Sequence, residues 1–363
     1  MYAGRELVGG FMHIAVRKGW NVQLIEHGVS AARFRELIDF WHPDGCVINC
    51  GAASNDFPSA LAGCPVVYLD RPATTLSATD ACIYHDSHAT AELAARELLS
   101  LGLENFAFVA HPSNVAWNDE RESGFMHALQ LNGHTSAALH PKPGKNRPAG
   151  SPEEMERFLK LLPKPVGVFC ATDYIAASVI SSATRIGIAI PGEMAVIGVD
   201  NDDTICEYTS PTLSSIEPDW RLAGSLAAET MERMLKGKVR KGVRLTYSPK
   251  AIVRRLSSRY LKQEDPQVLT ALDLIRREAC NGLTAARVAE GFNCSRRMAE
   301  IRFRKTTGKS ILEEIRSERL KKAEELLQLG ELNLDAIANF CGYGSATAFC
   351  AFYRKVTGKT PRS

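Results

Sequence analysis

A chain of 363 residues is too long for one ordinary hydrophobic core and is expected to divide into two or three domains. Its 45% hydrophobic and 23% charged residues match a soluble globular composition, and no run of 18 apolar residues predicts a membrane span. The formal charge of +3 is uneven: residues 266–363 carry 17 Lys and Arg against 11 Asp and Glu, whereas residues 1–265 carry 27 against 30. A basic third on an acidic body is the electrostatic footprint of a nucleic-acid-binding module.

Met1 to Gly10 has neither a basic start nor an apolar stretch, so no secretory signal is expected. The ten cysteines, Cys46 to Cys350, form no Cys-x-x-Cys pair, and the chain is far larger than a disulfide scaffold. Reduced, mostly buried thiols and a cytoplasmic location follow. His85-Asp86-Ser87-His88 has metal-ligand types but no third ligand at a useful spacing, so no metal is expected and the histidines read as solvated loop residues.

Up to residue 255, short apolar runs alternate with amphipathic segments. Val22–Ile25, Cys46–Asn49, Val66–Leu69, Phe106–Ala110, Val166–Cys170 and Ala195–Val199 read as strands covered on both faces. Ala89–Leu101, Glu120–Leu131, Ser151–Leu162 and Trp220–Leu235 read as helices, the third opened by a serine cap, a first-turn proline and first-turn acids. Such alternation gives parallel sheets with helices on both faces, and its length suits a two-lobed, doubly wound α/β sensor. Residues 1–255 are assigned to that domain, 256–265 to a linker whose Asp265-Pro266 starts the next helix, and 266–363 to an all-α domain.

The all-α domain contains a repeat. Val288-Ala289 and Ile337-Ala338 each end a short helix, followed by Gly291-Phe292 and Gly342-Tyr343, then by the capping serines Ser295 and Ser345. Ala299 or Phe349 lies four residues past each serine, Phe303 or Tyr353 eight past, and Gly308 or Gly358 thirteen past. A short helix, a glycine turn and a serine-capped second helix is the helix-turn-helix plan, here present twice. In the first unit Ala299 and Phe303 face the core, while Arg297, Glu300, Ile301 and Arg304 share another face. That face, with Arg296, offers an arginine fork for guanine, a carboxylate for cytosine and an apolar contact for thymine. The second unit presents Ser345, Ala346 and Thr347, with Arg354 and Lys355 near the helix end. A long helix, about Ile311 to Leu329, with Ile315, Leu320, Ala323 and Leu327 inward and Gly330 as C-cap, is expected to space the two units.

Arg319-Leu320, Ala323, Leu326-Leu327, Ile337-Ala338, Cys341-Gly342-Tyr343, Ser345, Phe349, Tyr353-Arg354-Lys355, Gly358 and Thr360-Pro361 together resemble the AraC/XylS family signature. The resemblance covers about the last hundred residues and implies two recognition helices entering adjacent major-groove segments of operator DNA.

In the sensor, three segments carry chemistry: Trp117-x-x-Glu120-Arg121, Ala171-Thr172-Asp173 and Gly198-Val199-Asp200-Asn201-Asp202. The last two follow strands directly, and ligands of open parallel sheets bind beyond the carboxyl ends of the strands. An arginine, carboxylates and an indole converging there suit sugar hydroxyls and the C–H face of a sugar ring. An ordinary Arg121–Asp200 ion pair, with Asp173 or Asp202 as cap residues, is the plainer alternative.

Val196-Ile197-Gly198-Val199-Asp200-Asn201 followed by Pro211-x-Leu213-Ser214-Ser215-Ile216 is similar to effector domains of the LacI/GalR family and periplasmic sugar-binding proteins. The resemblance implies a periplasmic-binding-protein-like fold in which Arg121 and Asp200 bind sugar hydroxyls; Trp117, Glu120, Asp173 and Asn201 of the three segments complete the candidate set. Its fusion to an AraC-type domain resembles regulators of pentose operons. The implied partners are a DNA operator, a pentose effector with D-xylose favoured, RNA polymerase and a second copy of the chain as a homodimer. Activation is the implied sign. The alternative is a sugar carrier or receptor without transcriptional output. No Gly-x-Ser-x-Gly, P-loop, His-Glu-x-x-His or Gly-x-Gly-x-x-Gly pattern occurs, so neither enzyme activity nor a cofactor is expected. Sensors of the resembled family open with a central strand before the segment matching Tyr2 to Gly9. This chain starts at that segment, which predicts either a late-placed start or a rearranged first lobe.

Overall fold

A computed structural model describes residues 2–25, 31–50, 64–71, 81–112, 115–142, 151–239, 242–259, 265–329 and 332–361. The chain divides into two compact units, Met1–Tyr260 and Leu261–Ser363.

The larger unit has two lobes. The chain enters lobe 1 through α1 (Tyr2–Arg17), α2 (Ala31–Trp41), β1 (Cys46–Asn49), β2 (Val66–Leu69) and β3 (Ala81–His85). It crosses to lobe 2 through α3 (Ser87–Ser100), β4 (Asn105–Val109), α4 (Ala116–Gln130), β5 (Ser136–Leu139), α5 (Pro152–Leu161), β6 (Val166–Cys170), α6 (Asp173–Arg185), β7 (Met194–Val199), α7 (Asp203–Cys206) and β8 (Ser214–Pro218). It returns to lobe 1 for α8 (Trp220–Leu235) and β9 (Arg244–Tyr247), then finishes in lobe 2 with β10 (Pro249–Val253). The lobe 1 sheet runs β1-β2-β3-β9, all parallel. The lobe 2 sheet runs β10-β8-β7-β6-β4-β5, parallel except for β10 on β8. This is the two-lobed, doubly wound α/β architecture read from the alternation.

The apolar runs form strands because both faces are covered: β2, β6 and β7 are buried at every position. Val22–Ile25 departs from its expectation. It is irregular, with Leu24 66% and Ile25 44% exposed. Among the described residues the run joins neither sheet, and β1 ends its sheet on that side. Strands β3, β5, β8, β9 and β10 escaped the apolar-run criterion. Strand β8 shows why: Ser214 and Ser215 are buried because their hydroxyls are bonded, not because they are apolar.

Helices α1 and α8 cross at two glycines. A Cβ on Gly224 would lie 2.0 Å from the Leu7 carbonyl oxygen, and one on Gly10 would lie 2.0 Å from that of Arg221. No side chain fits either place, so glycine is a packing requirement there despite its cost in a helix. The first residues assigned to the linker, Leu256–Ser258, form a buried 3-10 turn of the larger unit.

The smaller unit is all-α: α9 (Pro266–Glu278), α10 (Ala285–Glu290), α11 (Arg296–Thr307), α12 (Ile311–Leu329), α13 (Leu334–Phe340) and α14 (Ala346–Thr357). The repeat is one of geometry as well as sequence. Ser295 and Ser345 cap α11 and α14, and both helices end on a left-handed glycine, Gly308 and Gly358. Thr307 and Thr357 each donate a 2.8 Å bond to the carbonyl four residues back. Ala299, Phe303 and Phe349 are fully buried, and Ile337, Ala338, Ala323 and Leu326 pack around Phe349. On α12, Ile315 and Ala323 are buried, while Leu320 and Leu327 are half-buried. The proposed C-cap Gly330 lies outside the described residues.

Candidate functional site

The lobes are joined by three crossings, at Asp86, Asp219 and Ser248. The crossings are tied to one another: the Asp86 amide donates to Tyr247 O (2.9 Å) and the Asp219 amide to Ser248 O (3.4 Å). Asp86 and Asp219 also cap α3 and α8 through their carboxylates. Two of the three crossings are therefore helix starts, and the third, Ser248, links β9 to β10.

Carboxyl ends of strands from both sheets meet at this hinge. Lobe 1 supplies Asp70 after β2, His85 ending β3 and Tyr247 ending β9; lobe 2 supplies Asp173 after β6 and Asp200 after β7. Arg121 on α4 is the centre. It is buried, donates through Nη1 to Ala171 O, and donates through Nη2 to His85 Nδ1 of the other lobe (3.1 Å). Its guanidinium carbon lies 4.7 Å from the Trp117 ring centroid. Charges of Asp200, Asp70 and Asp173 act on it and offset the burial that lowers its pKa. Asp200 is the strongest of the charges acting on Arg121, while its hydrogen bonds go to a carbonyl and an imidazole, so the group is more than a simple ion pair.

Arginine only donates, so His85 Nδ1 is the bare nitrogen. Burial, and then the Arg121 charge, push the His85 pKa well below its ordinary value, so the ring is neutral with its proton on Nε2. Nε2 faces Thr90 Oγ1 at 3.0 Å, and Thr90 donates to Asp86 O. The ring stacks on Tyr247 at 5.1 Å and lies 6.1 Å from Trp220. This corrects the sequence expectation for His85, which is no solvated loop residue; His88 is exposed.

Asp70, at φ 54°, accepts from the His85 amide (2.7 Å) and the Tyr247 hydroxyl (3.4 Å). Burial raises its pKa against the lowering effects of those bonds and of Arg121. Asp200 sits at φ 114°, a left-handed backbone outside ordinary aspartate geometry and a form of strain that concentrates at functional sites. Burial raises its pKa, with Arg121 the main opposing influence. Two buried donors, Arg121 Nε and Trp220 Nε1, have no acceptor among the described residues. Buried donors of that kind are exceptions that call for a partner.

Among the sequence-nominated sensor residues, Arg121, Asp200, Asp173 and half-buried Trp117 converge. Glu120 is half-buried within reach of the charges of His88, Asp70, Arg121 and Asp86, and its pKa is raised, first by burial. Two members play a different part from the one expected. The Asp173 carboxylate is occupied by Ser215 Oγ (2.5 Å), the Asp202 amide (2.9 Å) and Cys206 Sγ (3.2 Å), which pins the Asp200 turn. Gly198 makes room for it, since a Cβ there would lie 2.2 Å from Asp173 Oδ1. Asn201 is buried and turned toward Arg255, whose Nη1 donates to Asn201 Oδ1 at 2.8 Å.

Sequence reasoning missed Asp70, His85, Trp220 and Tyr247. The strand-end rule that found Asp173 and Asp200 also applies to Asp70 directly after Val66–Leu69. His85 and Tyr247 were out of its reach because their strands were not recognised.

In the smaller unit Arg296, Arg297 and Arg304 are exposed along α11, and Ile301 is 50% exposed. Arg304 lies 3.7 Å from Glu313. Glu300 is engaged otherwise than expected: its Oε2 accepts the Ile311 amide (3.3 Å) at the start of α12. On α14, Thr347, Arg354 and Lys355 are exposed and Ala346 half-buried, while the Ser345 hydroxyl accepts the Ala348 amide. No group of three potential metal ligands occurs among the described residues, and no described helix is long and apolar enough to cross a membrane.

Residues 95–258 match the model of periplasmic binding protein-like domains, and residues 288–363 match a helix-turn-helix domain. The xylose operon regulatory proteins of Haemophilus influenzae and Escherichia coli K12 are each 29% identical to this chain, over 281 and 282 residues. Those alignments cover 76% of this chain and 72% and 71% of the two relatives. The solved structure of the xylose-binding transcription activator xylR superposes with a TM-score of 0.67 at 25% identity, covering 99% of this chain and 93% of that one.

Proposed function

We propose that this chain, a DNA-binding regulator of sugar utilisation homologous to the xylose operon regulatory proteins, is an activator switched by a pentose held between the two lobes of its sensor. The observation that carries the effector proposal is the Arg121 cluster. It joins both lobes, holds carboxylates beside a cation, and keeps two buried donors without acceptors. A sugar offers both halves of what that cluster lacks: oxygens that accept from Arg121 Nε and Trp220 Nε1, and hydroxyls that donate to Asp200 and Asp70. The indole faces of Trp117 and Trp220 suit the C–H side of the ring. D-xylose is favoured because relatives with this pairing of domains are named for xylose.

Sugar binding favours closure about the hinge at Asp86, Asp219 and Ser248. DNA affinity then shifts by the difference in sugar affinity between the open and closed forms, typically ~1–3 kcal/mol. Arg296, Arg297, Ile301 and Arg304 of α11 read base edges, with Ser345, Ala346 and Thr347 opening α14 against the next groove segment. Arg354 and Lys355 contact phosphate, which sets register rather than sequence. A cytoplasmic homodimer that engages RNA polymerase completes the proposal, and the helix-turn-helix match speaks against a carrier without transcriptional output.

The test is calorimetry of the full chain with D-xylose and a panel of other pentoses and hexoses, followed by DNA-shift titrations with and without the sugar that binds. D-xylose is expected to bind and to change the affinity for selected DNA at least fivefold. Binding of a hexose alone would overturn the pentose assignment, and binding with no change in DNA affinity would overturn the switch.

A further inference from the structure

The larger unit contains a second arginine network, apart from the cleft and on the path by which the chain leaves this unit. Arg255 precedes the buried 3-10 turn Leu256–Ser258 and is itself 4% exposed. Its guanidinium serves four partners at once: Nε donates to Glu207 (2.6 Å), Nη2 lies 3.4 Å from Asp203, and Nη1 donates to Asn201 Oδ1 (2.8 Å) and Leu213 O (3.1 Å). All four belong to the stretch 201–213, which begins with the turn that presents Asp200.

That turn is under strain and pinned. Asp200 and Asn201 have φ values of 114° and 49°. The Asp200 amide donates to Ile216 O (3.0 Å), the Asn201 amide to Ser215 Oγ (3.0 Å) and the Asp202 amide to Asp173 (2.9 Å). On the other side of Arg255 the departing chain is pinned as firmly. The Arg255 amide donates to Ser214 Oγ (2.7 Å), Ser257 Oγ donates to Val196 O (2.6 Å), and the Ser257 amide donates to Thr212 O (2.9 Å). One side chain thus bridges the turn that presents a cleft carboxylate and the buried turn Leu256–Ser258. Residues 259–264 separate that segment from Asp265, which caps α9 and pairs with Arg302 on α11.

We infer that Arg255 is a positioning residue of the regulatory switch, transmitting displacement of the Asp200–Asn201 turn to the chain that leads into the DNA-binding unit. Its side-chain hydrogen bonds go to residues 201–213, outside the Arg121 cluster. Its planar guanidinium makes several bonds in fixed directions, so movement of the turn and movement of residues 255–258 are geometrically linked. Lysine, with one terminal nitrogen, keeps the charge but cannot span Asn201 and Glu207 together.

The inference rests on the effector reading of the cleft, so the test has two arms. The first uses no sugar: amide hydrogen exchange of the full chain is compared between wild type and Asn201→Gly, which accommodates the positive φ and deletes the acceptor for Arg255 together with a long 3.5 Å bond from Asn201 Nδ2 to Glu217. Exchange in residues 255–258 should accelerate at least tenfold while β4 and β6 keep wild-type protection. Acceleration confined to residues 200–203 overturns the linkage.

The second arm titrates DNA selected from a random pool by the wild-type protein, with and without saturating D-xylose, for wild type, Arg255→Gln, Arg255→Lys and Asn201→Gly. The ratio of the two affinities should collapse to within twofold of one in all three variants, with sugar-free affinity unchanged within twofold. A wild-type ratio in Asn201→Gly overturns the inference even if Arg255→Gln fails to fold. If D-xylose neither binds wild type nor alters its DNA affinity, the effector reading fails, and the exchange arm still decides the linkage.

Discussion

Replacing Arg121 by alanine tests the electrostatic account of the cleft most directly. The guanidinium is buried, makes charge-assisted bonds to Ala171 O and His85 Nδ1, and faces the charges of Asp200, Asp70 and Asp173. Deleting a buried ion's partner costs about 3–5 kcal/mol because the remaining charges lose their compensation. For a unit of this size that is a fall in Tm of roughly 10 °C.

The loss should depend on pH. The Asp200 carboxyl is raised by burial and lowered chiefly by Arg121, so without Arg121 its folded pKa rises further. A group whose folded pKa lies above its unfolded value contributes stability below the unfolded pKa, about 4 for aspartate, and loses it as pH climbs through the folded value. The deficit of Arg121→Ala against wild type should therefore be modest near pH 4.5, where only two hydrogen bonds and the Trp117 contact are missing. It should be full by pH 8. Thermal denaturation of both proteins across that range is the assay. An equal deficit at both ends would mean that lost packing, not uncompensated carboxylates, governs the site, and would refute the account.

Asp200→Asn should do the reverse. It removes a carboxylate from a buried acidic cluster and is expected to raise stability at pH 8 by on the order of 1–2 kcal/mol, with no gain near pH 4, while weakening D-xylose at least tenfold in calorimetry. In the DNA-binding unit, Arg297→Ala should cost about 1–3 kcal/mol and relax preference at one or two base pairs in a randomised-site selection. Lys355→Ala should weaken all sequences alike and lower the salt slope by about one. A base-specific loss with Lys355→Ala would count against the division between base-reading and phosphate-holding residues.

The DNA-binding unit was legible in the sequence almost throughout, because its determinants are local. A serine hydroxyl caps the helix it precedes, a glycine ends the helix it follows, and Ala299 and Phe303 share a face through the 3.6-residue period alone. The exception, Glu300, was assigned outward by periodicity and taken up by the Ile311 amide, a contact set by how α11 meets α12. The lobe 2 half of the cleft was legible for a related reason: long apolar runs announce strands, and the residues just past them are placed at the carboxyl ends of the sheet.

The lobe 1 half was decided only by tertiary structure. Tyr247 reaches Asp70 across 177 positions of chain, and β9 joins β3 as a parallel neighbour only after the chain has built the whole of lobe 2. Its short strand, Arg244–Tyr247, carries one fully buried side chain, too few for a periodic signal. The direction of Asn201 was equally out of reach. An amide beside a strand-end aspartate reads as a ligand group, and it is Arg255, 54 residues away, that turns it inward. Local hydrogen bonds and side-chain period determine helices and their ends. Which polar groups face a ligand and which face one another depends on contacts between segments far apart in sequence, and these exist only once the sheets have closed.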